Sequence, residues 1–410
     1  MAAGVEALNV YAGGASLDVR RLFEHRGLDL TRFGNLMMDQ KSVNLPCEDT
    51  VTNAVNAARP LVDALAPDER DSIEAVVVGT ESGLDYGKPV STYVHDYLGL
   101  SRRCRSFEVK HACYGGTAAL RTGLGLLAAS PVPGARALVI AADAGGDVQG
   151  MPYWEASHGA GAVALLVGDR ADVLELDPGA AGLHTFEVMD TCRPLPDVAS
   201  GDSDVSLLAY LECLEQSFAH YQEVVSGTDI RATFDYLAFH TPFAGMVKGA
   251  HRHLLRSAAR LPGAEIERDF TARMADSLSY PARIGNTYSA GLFVALCSLL
   301  ENGDFSRPRR IGLFSYGSGC ASEFYSAVAG PSAPAALAQF KLRERLDARY
   351  PLSMAEYDLL AAHAAVAAAG VADGPADVTP YADVYEAVMP GRGLLVLDRI
   401  SGYRRHYRWT

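Results

Sequence analysis

Phe107-Glu108-Val109-Lys110-His111-Ala112-Cys113-Tyr114-Gly115-Gly116-Thr117 begins as an apolar, strand-like stretch and turns within a few residues into a helical pattern running from Gly116 to Ala129. The turn holds a cysteine, and its position matters more than its residue type. At a helix N-terminus the unpaired N–H groups and the positive end of the dipole favour a thiolate, so a lowered thiol pKa is expected at Cys113. Gly115 and Gly116 leave room for a substrate close to the backbone. A cysteine before a helix is also a common buried and inert residue, so its surroundings must decide whether it does chemistry.

Outward from this turn, short apolar and often β-branched runs read as buried strands: Ile73–Val78, Ala137–Ala141, Ala162–Val167, Tyr236–Phe239, Ile311–Phe314 and Leu394–Leu397. Longer helical patterns lie between them, at Val51–Leu65, Gly116–Ala129, Leu207–Val225 and Gly291–Glu301. Strands alternating with helices predict α/β layers. Asp169–Asp204 lacks periodicity and contains Pro178, Pro194 and Pro196, so it reads as a connection between an N-terminal and a C-terminal half.

The chain has 410 residues, which exceeds the usual size of one core and predicts two packed halves. With 49% hydrophobic and 21% charged residues the composition is that of a globular protein. No apolar run is long enough to span a bilayer, and Met1–Val10 has neither the basic nor the apolar region of a secretory signal, so a cytoplasmic location is expected. The seven cysteines are scattered without a CxxC pair, which argues against a disulfide framework and a structural zinc site. A net charge of -13 argues against non-specific nucleic-acid binding. One local basic run, Lys248, His251, Arg252, His253 and Arg256, has spacings that would line part of a helix face.

Four more polar residues stand where apolar elements begin or end. Glu81, in Thr80-Glu81-Ser82-Gly83, follows the strand Ile73–Val78, at the carboxyl end where α/β sheets build sites. It reads either as a helix cap or solvated loop residue, or as a general base made more basic by burial. His240 ends the strand Tyr236–Phe239, and Pro242 stops simple continuation. Asn286 precedes an apolar helix and could be its N-cap. Ser318, in Tyr316-Gly317-Ser318-Gly319-Cys320, lies in a Gly-flanked turn after the strand Ile311–Phe314. A thiol, a carboxylate, an imidazole, an amide and a hydroxyl at such positions read together as one site.

At these residues the sequence resembles the 3-hydroxy-3-methylglutaryl synthases, members of the thiolase superfamily that condense an acetyl thioester with a β-ketoacyl thioester. The resemblance covers most of the chain. It rests on Asn35-Leu36-Met37, Pro46-Cys47-Glu48-Asp49, Thr80-Glu81-Ser82-Gly83, Ser91-Thr92-Tyr93-Val94-His95, Ala112-Cys113-Tyr114-Gly115-Gly116-Thr117, His240-Thr241-Pro242-Phe243, Gly285-Asn286-Thr287-Tyr288 and Gly317-Ser318-Gly319. Other condensing enzymes of the superfamily do not need a glutamate placed like Glu81.

The resemblance implies an α/β, thiolase-like fold of two related βαβαβ halves in a layered α-β-α-β-α architecture. Residues 1–170 would carry the nucleophile and base. Residues 171–410 would carry the His, Asn and Ser positions and a helical insertion near 335–375. It further implies that Cys113 is the acylated nucleophile, Glu81 the base and His240 the residue that binds and polarises the second substrate, with Asn286, Ser318 and Asp190 as supporting polar residues. The stretch Val188-Met189-Asp190-Thr191-Cys192-Arg193-Pro194 departs from the Tyr-Asp-Phe type of the mevalonate-pathway enzymes. It looks like the branch that acts on acyl carrier proteins and installs β-branches in polyketides.

The expected partners are therefore a donor acyl carrier protein, the acceptor carrier protein of a polyketide synthase, and a second copy of the chain. No resident cofactor is expected, because the phosphopantetheine arm arrives with the substrate. Arg32, Lys248 and Arg252 would form a docking patch for an acidic carrier. The alternatives are a hydroxymethylglutaryl-CoA synthase of the mevalonate pathway and, from another class, a non-catalytic acyl- or carrier-binding subunit.

Overall fold

In the computed structural model, which describes residues 4–145, 152–195 and 198–410, nine strands share one sheet. They are β1 (Gly4–Tyr11), β2 (Ile73–Gly79), β3 (Arg105–Val109), β4 (Arg136–Asp143), β5 (Gly161–Gly168), β6 (Leu174–Thr185), β7 (Tyr236–Phe239), β8 (Arg309–Gly317) and β9 (Ala321–Ala329). Their spatial order is β7-β8-β9-β6-β1-β5-β4-β2-β3. Residues 1–3, which open the N-terminal segment read above, and Pro196 lie outside the described residues.

The sheet is two sheets joined by a narrow seam. Among the described residues, β1 and β6 are paired only at Gly4 with Glu175 and Val5 with Leu174. On one side of the seam β2 runs parallel to β4, β4 pairs antiparallel with β5, and β5 pairs antiparallel with β1. On the other side β7 runs parallel to β8, β8 pairs antiparallel with β9, and β9 pairs antiparallel with β6. The order β2-β4-β5-β1 is thus repeated as β7-β8-β9-β6, and the first set adds β3 at its edge.

Strands β4, β5 and β7 are buried along their whole length, which is why they read as continuous apolar runs and not as alternating ones. Helix α1 (Thr50–Asp63) covers the outer face of the first set, over β1, β4 and β5. Its N-terminus is closed by a capping box between Asp49 and Thr52. Helix α2 (Gly115–Ala128) lies on the opposite face, over β2 and β4. Helix α3 (Ser203–Val224) covers the outer face of the second set over β6 and β9, with α4 (Ala244–Ala259) against it. Helix α5 (Gly291–Asn302), buried from Gly291 to Leu300, packs on β1, β7 and β8. The side chains of α2 and α5 join one apolar core with the inward faces of both strand sets. The layers are therefore helix, sheet, paired inner helices, sheet, helix, a thiolase-like α-β-α-β-α arrangement.

Asp169–Asp204 is more than a connection. Its first part is β6, which holds the two strand sets together, and its second part is a separate hairpin of Thr191–Leu195 with Val198–Gly201. Alternation in β6 is broken around Pro178 and Gly179, where its ladder with β9 shifts register, so no period of two is visible in the sequence. Short helices occupy Ser332–Ala338, Leu342–Asp347 and Met354–His363, within the segment read as a helical insertion. Among the described residues no helix is long and apolar enough to cross a membrane.

Candidate active site

The carboxyl ends of β2, β4, β7 and β8 deliver Glu81, Asp143, His240 and the Gly317–Gly319 turn, and the turn before α2 delivers Cys113. Close backbone approaches bring these loops together. A Cβ on Gly116 would stand 2.2 Å from the carbonyl oxygen of Ser289, and one on Gly317 would stand 2.5 Å from the amide nitrogen of Tyr114. The first approach joins the Cys113 turn to the Asn286–Ala290 loop, the second joins it to the Ser318 turn. Ala112 and Tyr288 both adopt left-handed backbone conformations (φ 38° and 49°), strain of the kind that packed functional loops hold.

The Cys113 Sγ lies 3.5 Å from Glu81 Oε2. On its other side the Glu81 carboxylate faces Arg193, with Nη2 3.6 Å from Oε1. The guanidinium of Arg193 in turn lies over the Tyr288 ring, 5.3 Å from its centroid. Burial, with the charge of Asp143, pushes the Glu81 pKa up to about 7, against the pull of Arg193. Such a carboxyl is poised to give and take protons near neutrality.

Burial, followed by the negative charges of Glu81 and Asp143, pushes the Cys113 thiol well up. This corrects the expectation of a lowered thiol pKa. The helix Gly115–Ala128 begins two residues past the sulfur, and desolvation beside two carboxylates outweighs its dipole. In the resting site Cys113 is a thiol that donates to Glu81.

Asp143 was not singled out in the sequence, yet it organises the base. Fully buried, it accepts from Thr80 Oγ1 (2.9 Å) and the Glu81 amide (2.9 Å) through Oδ1. Through Oδ2 it accepts from the amide (3.0 Å) and hydroxyl (2.5 Å) of Ser289. It therefore clamps the Glu81 loop of the first half to the Ser289 loop of the second. A lone carboxylate at the end of the apolar run Ala137–Ala142 is the same signal that singled out Glu81. Arg193 was hidden differently, in a segment read as a connection.

His240 is buried, and among the described residues its Nδ1 has no hydrogen-bond partner. Burial lowers its pKa to about 3, so the imidazole is neutral. Asn286 does not cap the helix Gly291–Asn302, which starts five residues on without a side-chain cap; its Oδ1 accepts the Tyr288 amide (2.9 Å) and so shapes the loop that holds Tyr288 under Arg193. Asp190 is fully buried and holds the Ser318 turn: its oxygens accept from the Gly319 amide (3.0 Å) and the Tyr316 hydroxyl (2.7 Å). Ser318 itself is half-buried.

Of the basic residues, Arg32 is exposed over the Tyr153 ring (4.4 Å) on the helix Leu30–Leu36, which packs against α4. Lys248 and Arg252 lie on α4 and share Glu267, at 2.8 and 3.4 Å. His251 does not belong to that exposed face. It is buried against Asp269 (2.8 Å), because the turns of α4 alternate between solvent and the helix Gly263–Arg273.

A cysteine acid–base site at the carboxyl ends of two joined strand sets defines an acyl-transferring, carbon–carbon bond-forming enzyme of thiolase-like fold. Residues 2–172 match the profile of hydroxymethylglutaryl-coenzyme A synthase N terminal, and residues 263–364 that of hydroxymethylglutaryl-coenzyme A synthase C terminal. The chain is 48% identical over 418 residues, covering 100% of itself and 99% of the relative, to the polyketide biosynthesis 3-hydroxy-3-methylglutaryl-ACP synthase PksG of Bacillus subtilis. It is 34% identical, over 88% of itself and 91% of the relative, to the hydroxymethylglutaryl-CoA synthase of Enterococcus faecalis. The crystal structure of the curacin biosynthetic pathway HMG synthase in complex with acetyl donor-ACP superimposes with a TM-score of 0.97, at 49% identity and 100% coverage of both chains. The chain belongs to the hydroxymethylglutaryl-CoA synthase family.

Proposed function

We propose that this enzyme takes an acetyl or other small acyl group from a donor acyl carrier protein onto Cys113 and condenses it with a β-ketoacyl chain on the acceptor carrier protein of a polyketide synthase, installing a β-branch. The observation that carries the chemistry is the pairing of the Cys113 thiol, at 3.5 Å, with a carboxyl whose pKa lies at about 7. The carrier-protein reading is supported by the likeness to PksG and to the curacin synthase, whose structure includes a donor carrier. Their identities of 48% and 49% stand against 34% for the hydroxymethylglutaryl-CoA synthase of Enterococcus faecalis. Retention of the thiol and its base weighs against a non-catalytic subunit.

In this mechanism Glu81 accepts the Cys113 proton as the sulfur attacks the donor thioester, and passes it to the departing phosphopantetheine thiol. Glu81, again a carboxylate, then removes a proton from the acetyl methyl group, and backbone N–H groups beside Cys113 stabilise the enolate oxygen. The enolate carbon attacks the acceptor ketone. The resulting alkoxide takes its proton from Glu81 or from a donor positioned with His240, whose neutral imidazole polarises the acceptor without competing for the proton. Water finally cleaves the Cys113 thioester, leaving a free carboxylate on a 3-hydroxy-3-carboxymethyl acyl chain still attached to its carrier. No resident cofactor takes part; the phosphopantetheine arm enters with the substrate.

A division near residue 170 into two halves that share the reaction is part of the proposal, supported by Glu81 and Cys113 preceding that point and His240, Asn286 and Ser318 following it. Arg32, with Lys248 and Arg252 on the adjoining helix, would receive an acidic carrier. A homodimer is supported by β3, an edge strand with one neighbour and part-exposed residues. We place the enzyme in the cytoplasm.

The test is the rate of Cys113 acetylation from an acetyl-carrier protein and from acetyl-coenzyme A. Faster transfer from the carrier is expected. Equal rate constants would remove the carrier-protein reading and leave the condensation chemistry.

A further inference from the structure

We infer that Arg193 receives the oxygen of the acceptor ketone as it becomes an alkoxide, which makes this guanidinium a catalytic residue of the condensation and not only the partner of Glu81. The inference rests on the proposed condensation at Cys113 and adds a residue to it. Glu81 stands between the two groups: Oε2 faces the Cys113 Sγ at 3.5 Å, and Oε1 faces Arg193 Nη2 at 3.6 Å. At 3.6 Å the contact with Arg193 is an ion pair and not a hydrogen bond, so the N–H groups on that edge still have an acceptor to find. The hydroxyl of Tyr288, whose ring lies under the guanidinium, has no hydrogen-bond partner among the described residues. The Arg193 side chain is 22% exposed, which leaves it within reach of a substrate, whereas Asp143 is fully buried.

Counting bonds out from the sulfur decides which oxygen meets the cation. In the condensed intermediate the thioester carbonyl is attached directly to Sγ and belongs to the backbone N–H groups beside Cys113. The next carbon is the former methyl, which has to lie against Glu81 to lose its proton. The carbon after that carries the alkoxide, whose oxygen is four bonds from Sγ and up to about 5 Å from it. A chain that starts at Sγ and passes Glu81 brings this oxygen to the far side of the carboxylate, where Arg193 stands.

Charge moves in step. In the resting site Arg193 faces the Glu81 carboxylate. When Glu81 takes the methyl proton it becomes neutral, and the electron pair of the broken C–H bond forms the enolate. As the enolate carbon bonds to the ketone carbon, the π pair of the ketone moves onto its oxygen, beside a guanidinium that has lost its charged partner. Return of the proton from Glu81 to the alkoxide restores the ion pair. Asp143, which also acts on Glu81 and Cys113, is negative and His240 is neutral, so the positive charge comes from Arg193. The position of Arg193 is fixed by packing. A Cβ on Gly201, at the base of its hairpin, would stand 2.7 Å from Trp154 Cη2. The Trp154 ring lies 6.2 Å from that of His158, which lies 5.4 Å from that of Tyr288, so a row of rings joins the hairpin to the residue under the guanidinium.

The experiment compares wild type with R193M and R193K, each at its own optimal pH so that a displaced Glu81 titration does not enter. Three steps are read separately: acetylation of Cys113 from acetyl-carrier protein, exchange of the methyl protons of the acetyl-enzyme in deuterium oxide, and condensation with acetoacetyl-carrier protein. R193M is expected to become acetylated and to exchange at close to wild-type rates. It should condense about a hundredfold to a thousandfold more slowly, in kcat and not in KM. R193K should fall between the two, because an ammonium keeps the charge without the planar fork. Methyl exchange reduced as much as condensation would show that Arg193 acts only through the base, and condensation by R193M at the wild-type rate would show that it meets no developing charge; either result overturns the inference. A wild type that exchanges its methyl protons but never condenses would bring down the proposed reaction, and this inference with it.

Discussion

Replacing Glu81 by Gln is expected to abolish condensation and, at the same time, to make the protein more stable at alkaline pH. The Glu81 pKa rises from 4.5 to about 7 on folding because burial and Asp143 disfavour its charge more than Arg193 favours it. A folded-state pKa above the unfolded value means that the native state binds the proton more tightly. The stability this contributes is complete below about pH 4.5 and is lost as pH rises through about 7. At about 1.36 kcal/mol for each tenfold change in proton affinity, the loss by pH 8 is on the order of 3 kcal/mol. Glutamine has no charge to desolvate, so the variant should match wild type near pH 4.5 and exceed it by up to about 3 kcal/mol at pH 8, roughly 3–4 °C in Tm for a chain of this size. Without the Glu81 charge, which holds the Cys113 thiol up, the thiol ionises more readily to solvent, so the variant should still accept an acetyl group, more slowly for want of a carboxylate to take the proton. Thermal melts across that pH range, with intact-protein mass spectrometry after addition of donor and acceptor, test both parts. A variant less stable than wild type at pH 8, a difference independent of pH, or normal condensation would refute the reasoning.

Cys113→Ser should abolish acetyl transfer from any thioester donor while leaving the melting temperature within about a degree, since serine is close in size and its hydroxyl can still donate to Glu81. Arg193→Met removes the cation that lowers the Glu81 pKa, so the inflection in the pH dependence of condensation should move from about 7 to higher pH; an unmoved profile would show that the guanidinium does not act on the base. Gly116→Ala would place a methyl group 2.2 Å from the Ser289 carbonyl oxygen, and should cost about 1–3 kcal/mol in denaturant unfolding together with most of the activity.

Much of this site was legible because a buried strand announces itself. The runs Ile73–Val78 and Tyr236–Phe239 are too apolar to lie anywhere but inside, so the polar residue ending each, Glu81 and His240, has to stand where the sheet opens. The helices at Val51–Leu65 and Gly291–Glu301 were found within two residues at each end for the same reason: one packs on a sheet and the other between two. Three things were not legible. Strand β6 carries Pro178 and Gly179 at a register shift, so its alternation fails although it joins the two strand sets. The charge state of Cys113 depends on Asp143 and Glu81, which fold around it from distant strands; local sequence contains the helix dipole but not the desolvation that outweighs it. His251 shares a spacing with half-buried Lys248 and exposed Arg252, and only its pairing with Asp269 of the next helix shows that it faces inward.

The account turns on Cys113 carrying the acyl group that Glu81 converts into a nucleophile, and a two-stage labelling experiment tests this most directly. Enzyme treated with acetyl-carrier donor alone is digested and the modified peptide located. A parallel sample then receives β-ketoacyl-carrier acceptor before analysis. The account predicts one acetyl group on the peptide containing Cys113 in the first sample. In the second it predicts loss of that group, with a 3-hydroxy-3-carboxymethyl chain on the acceptor carrier. An acetyl group on another residue, or one that stays on Cys113 while the acceptor is converted, would contradict it.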